Sequence, residues 1–301
     1  MIERYFQFLG GDQTIQLLKA NEKPLTPSIR VNTLKIAKDL LKERLENKGF
    51  NLESIDWIYN GFKIRKSPFN LGSTHEYLQG LYYIQSVAPM LPAIILDPKP
   101  SDVVIDMCAA PGGKATHLAQ IMNNQGNLIL IERNRKRIPA LEINLRRMGV
   151  SNSIIINDDS VNLSKLNLKA DKILLDAPCT GEGLIRQDPS RKKNKTMKDI
   201  NKLSNIQIKL LKTGLNSLNP GGQLLYSTCS IAPEENELVI DDVLKNESEF
   251  TIVKLPRKYG VDGIIDVYNK TLRVDIKYSQ RLYPHINNTI GFFVCLIQRN
   301  L

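Results

Sequence analysis

Two of the four cysteines lie where a thiol could do chemistry. Cys179 and Cys229 each follow a run of apolar residues that is typical of a buried strand, whereas Cys295 lies inside such a run. If the two strands are neighbours, both thiols face one crevice. A thiolate there could add to carbon 6 of a pyrimidine, which makes carbon 5 of the base nucleophilic. The spacing therefore indicates either covalent chemistry on a base or two buried structural cysteines.

A thiol attacks only as the thiolate, so its pKa must fall below the free value of about 8.5. Nearby cations and helix N-termini have this effect, and Lys114 and the turn before Pro233 are the candidates in this chain. Asp176 stands three residues before Cys179. It could bond to the exocyclic amine and to a protonated ring nitrogen of the base, which would select cytosine over uracil.

Carboxylates follow the other apolar runs of this region. Glu132, the Asp158-Asp159 pair and Asp176 each stand at the end of a run, where ligands bind in open α/β sheets. A single acid of this kind is most often a solvated loop residue. Acids after consecutive strands indicate instead that this edge of the sheet binds polar groups of a ligand.

A loop rich in small residues follows the first run. Its small side chains let the backbone approach a ligand, and the helix after it offers free N–H groups. Cys108 and Ala115 break the phosphate-loop pattern, and no Gly-x-Gly-x-x-Gly is present. Glu132 lies 20 residues after Gly112, the spacing of an acid that binds ribose hydroxyls. These features fit S-adenosylmethionine, with Glu132 on the ribose and Asp159 on the adenine amino group.

Five apolar runs, separated by stretches of helical spacing, must position these residues. The alternation is typical of a mostly parallel sheet with helices on both faces, so the predicted fold class is α/β. A final pair of segments, residues 271–274 and 292–297, could add an antiparallel edge. The predicted strands are residues 103–106, 128–132, 154–157, 172–176 and 223–227. The predicted helices are residues 116–122, 137–148 and 200–218.

The first part of the chain, residues 1–78, is expected to form a small α+β module, and residues 79–301 the sheet domain. A strand at 28–33 and a helix at 36–48 precede two short apolar segments that flank Asn60-Gly61, a strong hairpin signal. Basic and aromatic residues alternate there, as on surfaces that stack bases and bind phosphates. An ordinary packed sheet would show the same pattern.

The composition favours a globular protein with an anionic partner. Hydrophobic residues are 42% and charged residues 24% of the 301, which argues against a disordered or fibrous chain. Lys and Arg number 41 against 31 Asp and Glu, a net charge of +10. This excess favours nucleic acid, although a basic proteome would also produce it. Residues 186–198 form a basic patch just after Cys179.

The sequence carries no signal for targeting, a membrane span or a metal. Its start lacks a basic segment followed by an apolar run, and no run of about 18 apolar residues occurs. The cysteines stand at least 50 residues apart and only three histidines are present, which argues against a metal site. We expect a cytoplasmic protein with reduced thiols, no metal and no membrane anchor.

Three segments closely resemble the signatures of the Nol1/Nop2/Sun family of RNA 5-methylcytosine methyltransferases. The resemblance extends from residues 30–34 through residues 281–285 to residues 291–293 and so covers nearly the whole chain. It implies a Rossmann-like methyltransferase sheet, S-adenosylmethionine as cofactor and RNA as substrate. The three segments are DMCAAPGGK at 106–114, DAPCTGEG at 176–183 and YSTCS at 226–230.

The resemblance also assigns roles that spacing alone leaves open. In this family the cysteine of the Thr-Cys motif attacks the base, here Cys229, and the Pro-Cys thiol, here Cys179, resolves the adduct. Lys114 is placed near the reacting base, together with Asp176. Ala88 departs from the family, where Ser is common. The residues that the resemblance places around the cofactor are Cys108, Ala109, Ala110, Pro111, Gly112, Gly113, Lys114, Glu132, Arg137, Asp159 and Asp176.

The compact chain looks most like archaeal tRNA methyltransferases of this family, so a tRNA substrate and a monomer are expected. An added RNA-binding domain, which some relatives carry, is not expected within 301 residues. RNA would then bind the first 75 or so residues and the basic patch. The positive charges of the patch would add a salt-dependent affinity for RNA phosphates. The expected RNA-binding residues are Arg30, Asn32, Arg186, Arg191, Lys192 and Lys193.

Other functions stay open at this point. An rRNA cytosine methyltransferase would carry the same motifs. A noncatalytic RNA-binding assembly factor with a methyltransferase shell would share the basic surface, although the intact thiols argue against it. A DNA cytosine methyltransferase attacks with its Pro-Cys residue and needs a target-recognition region, for which the sequence gives no sign.

Overall fold

The computed structural model describes residues 1–192 and 196–301 as a mixed α/β chain. Its helices are α1 (Ile2–Leu9), α2 (Gly11–Asn21), α3 (Lys38–Glu46), α4 (His75–Leu78), α5 (Leu91–Leu96), α6 (Gly113–Ile121), α7 (Ile138–Met148), α8 (Met197–Asn216), α9 (Glu237–Leu244) and α10 (Pro284–Asn287). Its strands are β1 (Ser28–Val31), β2 (Asn51–Ile55), β3 (Ile58–Lys66), β4 (Tyr82–Ile84), β5 (Val103–Asp106), β6 (Asn127–Ile131), β7 (Ser153–Ile156), β8 (Ala170–Asp176), β9 (Leu218–Thr228), β10 (Phe250–Ile252), β11 (Val261–Asp262), β12 (Asp266–Val267), β13 (Lys270–Thr271), β14 (Gln280–Leu282) and β15 (Phe292–Arg299).

The chain forms two compact units, residues Thr26–Ser160 and residues Met1–Leu25 together with Val161–Leu301. Neither boundary coincides with the expected division at residue 78. Helices α1 and α2 belong with the C-terminal part because Tyr5 and Leu17 share one apolar cluster with Ile231 and Tyr283. The functional division into an RNA-contacting module (1–78) and a methyltransferase domain (79–301) stays a prediction.

The unit Thr26–Ser160 begins with a four-stranded antiparallel sheet in the order β2-β3-β1-β4. Its core joins the sheet to α3, which begins and ends within two residues of the predicted helix. Ile29 and Phe62 of the sheet and Leu41 and Leu45 of the helix are fully buried in one cluster. Apolar side chains at positions i and i+4 of α3 place both leucines on the same face.

The predicted hairpin at Asn60-Gly61 is wrong. The turn lies at Asp56 and Trp57, between β2 and β3, and Gly61 is an interior residue of β3. A Cβ atom on Gly61 would lie 2.9 Å from side-chain atoms of both Ile55 and Ile58. The glycine therefore permits close packing across the hairpin instead of forming its turn.

The same unit continues with three parallel strands, paired in the order β5-β6-β7. The strand β5 has the predicted bounds, and the other two differ from prediction by one residue at each end. Helix α6 follows β5 and helix α7 follows β6, which is the βαβ connection expected of parallel strands. Gly149, with φ +77°, ends α7 in the left-handed conformation.

In the other unit β8 and β9 are parallel neighbours, and β15 pairs antiparallel with β9 and with β14. The predicted antiparallel edge is confirmed for residues 292–297 and wrong for residues 271–274. Strand β13 (Lys270–Thr271) is exposed and pairs with β12. The buried strand β14 (Gln280–Leu282) lies beside β15 instead. Helix α8 begins at a capping box made by Thr196 and Asp199.

Candidate active site

The two thiols singled out by the sequence are in contact. Parallel pairing of β8 with β9, which sets Asp176 opposite Ser227, brings the carboxyl ends of the two strands together. Beyond those ends the Sγ atoms of Cys179 and Cys229 lie 3.1 Å apart, and both residues are partly exposed. The expectation that the two strands are neighbours is confirmed. A base that reaches one thiol would also meet the other.

Asp176 closes strand β8 directly before the Pro-Cys loop. Its Oδ1 atom accepts a hydrogen bond of 2.8 Å from the Ser227 hydroxyl. This bond fixes the carboxylate beside the strand end that leads to Cys229. Asp176 is partly exposed, and its predicted bond to the edge of a base stays a prediction.

The electrostatic surroundings of Cys179 are acidic. The lowered pKa expected of the attacking thiol concerns the other cysteine and stays a prediction. The hydrogen bond to Cys229, desolvation and the negative charges of Glu235 and Asp176 all raise the pKa of Cys179 well above its ordinary value. One of these charges, Glu235, belongs to the short helical turn that begins at Pro233. Cys179 is therefore a protonated thiol at neutral pH.

Gly183 brings three backbone segments together beside Cys229. Its N–H donates to the Cys229 carbonyl at 3.0 Å, and its carbonyl accepts from the Gly291 N–H at 2.8 Å. A Cβ atom at this position would lie 2.1 Å from the Gly291 oxygen and 2.7 Å from the Cys229 oxygen. The position of the Cys229 backbone thus depends on a residue without a side chain.

Glu235, Asn236 and Gln207 also belong to the site, although their sequence positions did not predict this. All three are fully buried, and their side chains bind the two cysteine loops. Arg4 supports the same region, since its guanidinium binds Glu182 at 2.9 Å and Glu234 at 2.6 Å. The acidic run at residues 234–237 was the sequence signal that could have indicated these site residues, but its burial cannot be inferred from the sequence.

The small-residue loop lies in the unit Thr26–Ser160 and is held by backbone bonds. The Ala109 N–H donates to the Ile131 carbonyl at 3.0 Å, and the Gly112 N–H donates to the Ala109 carbonyl at 2.8 Å. Gly112 has φ +104° and immediately precedes helix α6. Pro111 accepts from the Asn144 side chain at 2.9 Å. Cys108 and Lys114, at the two ends of the loop, are partly exposed.

Glu132 is the buried acid of this loop, with 5% of its surface exposed. Its carboxylate accepts from the Asn134 N–H at 2.8 Å and the Ala110 N–H at 3.3 Å, and lies 3.4 Å from Arg137. Arg137 also donates to the Ala110 carbonyl. A carboxylate offers about four acceptor positions, so one position is available to a ligand hydroxyl. The arrangement fits the ribose of a nucleoside cofactor.

Asp158 and Asp159 follow β7 in the same unit. Asp158 accepts from the Asp159 N–H at 2.6 Å and so bends the chain at this point. The Asp159 carboxylate is partly exposed and lies 3.3 Å from an exposed Arg133 nitrogen. Exposed pairs of this kind add little stability. The bond from Asp159 to an adenine amino group stays a prediction.

The expectation that Arg30 and Asn32 contact RNA is corrected by their burial, since neither side chain is exposed. Arg30 donates to the Gly113 carbonyl at 2.6 Å, to Thr116 at 2.7 Å and to Gln85 at 2.9 Å. Asn32 donates to the carbonyls of residues 80 and 148 at 2.8 and 2.7 Å. Their acceptors belong to the protein, so both residues stabilise the fold.

The basic patch is partly committed to internal contacts. Arg186 donates to the carbonyls of Lys23 and Pro24 and to the Asn288 side chain. Arg191 donates to the Thr180 carbonyl at 3.0 Å, and Lys192 pairs with an exposed glutamate. Lys193, also expected to bind RNA, lies outside the described residues, as does Lys195.

A cleft of about 610 Å³ lies beside Arg186, in the unit formed by Met1–Leu25 and Val161–Leu301. Helix α2, the segment after it and helix α10 form its walls, and the described lining includes Lys19, Lys23, Arg186 and His285 but no acid. We call it the basic cleft. Arg186 stands three residues after Gly183, so about 10 Å of extended chain at most separates the cleft wall from the residue bonded to Cys229.

Within residues 1–192 and 196–301, no helix has the length and hydropathy that a membrane span requires. The same residues contain no group of three or more His, Cys, Asp and Glu side chains placed to bind a metal ion.

Comparison with known proteins identifies relatives along the whole chain. A family model described as 16S rRNA methyltransferase RsmB/F matches residues 93–298, and one for the N-terminal domain of 16S rRNA methyltransferase RsmF matches residues 1–87. The tRNA (cytosine(49)-C(5))-methyltransferase of Pyrococcus abyssi is 36% identical over 99% of this chain and 95% of that protein. The 25S rRNA (cytosine-C(5))-methyltransferase nop2 of Schizosaccharomyces pombe is 36% identical over 99% of this chain.

The chain spans 50% of the length of that yeast protein, and 38% of a mouse 28S rRNA (cytosine-C(5))-methyltransferase. Among solved structures, a methyltransferase homologue from Pyrococcus horikoshii matches with a TM-score of 0.90 and 43% identity, over 99% of this chain and 93% of that one. NSun6 from Pyrococcus horikoshii with SFG matches with a TM-score of 0.89 and 26% identity, over 99% and 97%. The predicted α/β, Rossmann-like methyltransferase fold is confirmed.

Proposed function

Because the chain belongs to the RsmB/F (NOP2/Sun) family of RNA cytosine-C5 methyltransferases, we propose that it transfers a methyl group from S-adenosylmethionine to carbon 5 of a cytosine in RNA. One observation carries the proposal at the level of chemistry. Two partly exposed thiols lie 3.1 Å apart beyond the ends of neighbouring parallel strands, and each stands in its expected motif.

The Cys229 thiolate adds to carbon 6 of cytosine, forming a sulfur–carbon bond and moving electron density to carbon 5. Asp176 binds the exocyclic amine and the protonated ring nitrogen, which stabilises the adduct. The cofactor supplies the electrophilic methyl group that carbon 5 accepts. Loss of the carbon 5 proton to a base then returns an electron pair to the ring, and the sulfur–carbon bond breaks with the pair leaving on Cys229.

Cys179 acts in the last of these steps. Its raised pKa keeps the proton on Cys179, and its sulfur lies 3.1 Å from the departing Cys229 sulfur. A thiol at this distance donates a hydrogen bond to the thiolate that leaves. Stabilising the leaving group speeds release of the methylated base, so Cys179 supports product release and Cys229 supports attack.

The small-residue loop and the acids beside it would hold the cofactor. Glu132 would accept from the ribose hydroxyls, and Asp159 from the adenine amino group. The N–H groups at the start of α6 would bind the amino-acid carboxylate. Cys108, Lys114 and Arg137 lie on the same loop or directly beside it.

RNA is the substrate class that the charge favours, and the basic cleft offers it a surface without acidic lining among the described residues. We propose tRNA as the substrate because this chain and the Pyrococcus abyssi tRNA methyltransferase match over 95% of the length of the latter. rRNA is the second candidate, supported by the 36% identity to the yeast 25S rRNA methyltransferase. The protein is expected to act as a monomer in the cytoplasm.

The test is methyl transfer from labelled S-adenosylmethionine to tRNA and rRNA purified from cells lacking this protein. We expect label in tRNA, at a cytosine that resists bisulfite conversion, and none with Cys229→Ala. Label confined to rRNA would support the second candidate instead. Cofactor binding without transfer to any cellular RNA would refute catalysis and favour a noncatalytic assembly factor.

A further inference from the structure

The two thiol loops leave the sheet separately, and something must hold their sulfurs together. The last backbone bond between the strands is the Ala177 N–H to the Ser227 carbonyl, at 2.8 Å. Beyond it Pro178 has no N–H, so the Pro-Cys loop cannot continue the ladder. The neighbouring residues Glu235 and Asn236 bind the loops past this point.

Glu235 fixes the residues on both sides of Cys179. Its carboxylate accepts from the Thr180 N–H at 2.8 Å, the Thr180 hydroxyl at 2.5 Å and the Gln207 amide at 3.2 Å. The same Gln207 amide donates to the Pro178 carbonyl at 2.9 Å. The carboxylate is fully buried, and these three neutral donors stabilise its charge.

Asn236 fixes the residues on both sides of Cys229 in the same manner. Its Oδ1 accepts from the Thr228 hydroxyl at 2.6 Å, and its Nδ2 donates to the Ser230 carbonyl at 3.0 Å. The Tyr226 hydroxyl donates to the Glu235 carbonyl at 2.6 Å, which ties the pair to strand β9. Two adjacent residues therefore bracket the two cysteines.

We propose that Glu235 and Asn236 form a clamp that sets the distance between the two thiols, and that Glu235 is a positioning residue for product release. It acts through Thr180 and does not touch the base. The inference deepens the proposed function, because the role of Glu235 in product release rests on that function. The clamp itself is a property of the protein without RNA.

The clamp has a second consequence for Cys179. The charged groups that face this thiol are Glu235, Asp176 and Cys229, and each of them raises its pKa. Removing the Glu235 charge should lower the pKa of Cys179. The pH dependence of Cys179 alkylation therefore tests whether the Glu235 charge lies close to this thiol, and the comparison of attack with release tests the positioning role.

The experiment compares Glu235→Gln with Glu76→Gln, which removes a buried carboxylate that binds Lys48 in the unit Thr26–Ser160. Protein without RNA is equilibrated with oxidised and reduced glutathione, where two thiols and one glutathione disulfide give a protein disulfide and two glutathione thiols. Because the lost bonds are charge-assisted, we expect Glu235→Gln to lower the disulfide equilibrium constant about tenfold or more. Glu76→Gln should leave this constant unchanged.

In a Cys229→Ala background, Glu235→Gln should also move the midpoint of Cys179 alkylation to lower pH, because one of the charges that raise the Cys179 pKa is removed. Thr180→Val, which loses only the hydroxyl bond, covers the case in which Glu235→Gln does not fold, and should lower the disulfide constant by a smaller factor. Unchanged disulfide constants in Glu235→Gln, or in Thr180→Val where the former does not fold, would overturn the clamp.

With RNA and cofactor, Glu235→Gln should form the covalent adduct at close to the wild-type rate and release product more slowly. Equal slowing of adduct formation and release would overturn the role in release. If wild-type protein forms no adduct with any RNA, the proposed function fails, while the thiol measurements still test the clamp.

Discussion

Replacing Gly183 by Ala should slow methyl transfer by displacing the backbone of Cys229. The added Cβ would lie 2.1 Å from the Gly291 oxygen and 2.7 Å from the Cys229 oxygen, and contacts under 3.0 Å are essentially never seen. Both partners are backbone atoms, so no side-chain rotation relieves the overlap. The two oxygens must retreat by about 1 Å or less, which weakens the bonds of 3.0 and 2.8 Å that Gly183 makes with these segments.

A displacement of about 1 Å at a reacting group can reduce the rate about 100-fold. Overpacking of this size typically costs about 1–3 kcal/mol of unfolding free energy. We therefore expect Gly183→Ala to slow single-turnover methyl transfer about 100-fold and to lower the melting temperature. Gly11→Ala is the matched control, because its Cβ would meet only one ring atom, at 4.0 Å, and alanine favours a helix. A Gly183→Ala protein with the wild-type rate would refute this reasoning.

Three further outcomes follow from the contacts described above. Asn32→Ala should lose about 2–4 kcal/mol in denaturant unfolding, because two buried carbonyls lose their donor, while RNA affinity of the folded protein stays unchanged. Burial raises the pKa of Glu182, so the stability that the protonated carboxyl group gives at low pH is lost as the pH rises through the folded pKa. The charged carboxylate then depends on its ion pair with Arg4. Arg4→Ala should therefore destabilise the protein more at about pH 8 than at about pH 4.5 in thermal melts. Lys19→Glu with Lys23→Glu should weaken RNA binding for all sequences and lower the slope of log affinity against log salt by about 2, without changing cofactor binding.

The parallel strands were predictable because strands buried on both faces appear as continuous apolar runs. β5 has the predicted bounds, and β8 and β9 contain the predicted segments. Once these two strands are placed side by side, the contact between Cys179 and Cys229 follows from their positions just beyond the strand ends. Which thiol attacks does not follow from geometry, and it still rests on the family likeness.

The clamp was not predictable, because it depends on burial. Glu235 belongs to an acidic run at the start of a helix, where charges are usually solvated. Its burial follows from the approach of α8, and the spacing along the chain does not reveal that approach. The prediction that Arg30 contacts RNA was wrong for the opposite reason. A basic residue beside aromatic residues suggested an exposed RNA-binding surface, but Arg30 is buried and donates hydrogen bonds within the protein.

The central claim is the division of labour between the two thiols, and trapping the covalent intermediate tests it most directly. Wild-type protein, Cys229→Ala and Cys179→Ala are each incubated with RNA and S-adenosylmethionine and then separated on a denaturing gel. The account predicts that Cys179→Ala accumulates a protein–RNA adduct and that Cys229→Ala forms none. An adduct that accumulates with Cys229→Ala and is absent with Cys179→Ala would contradict it.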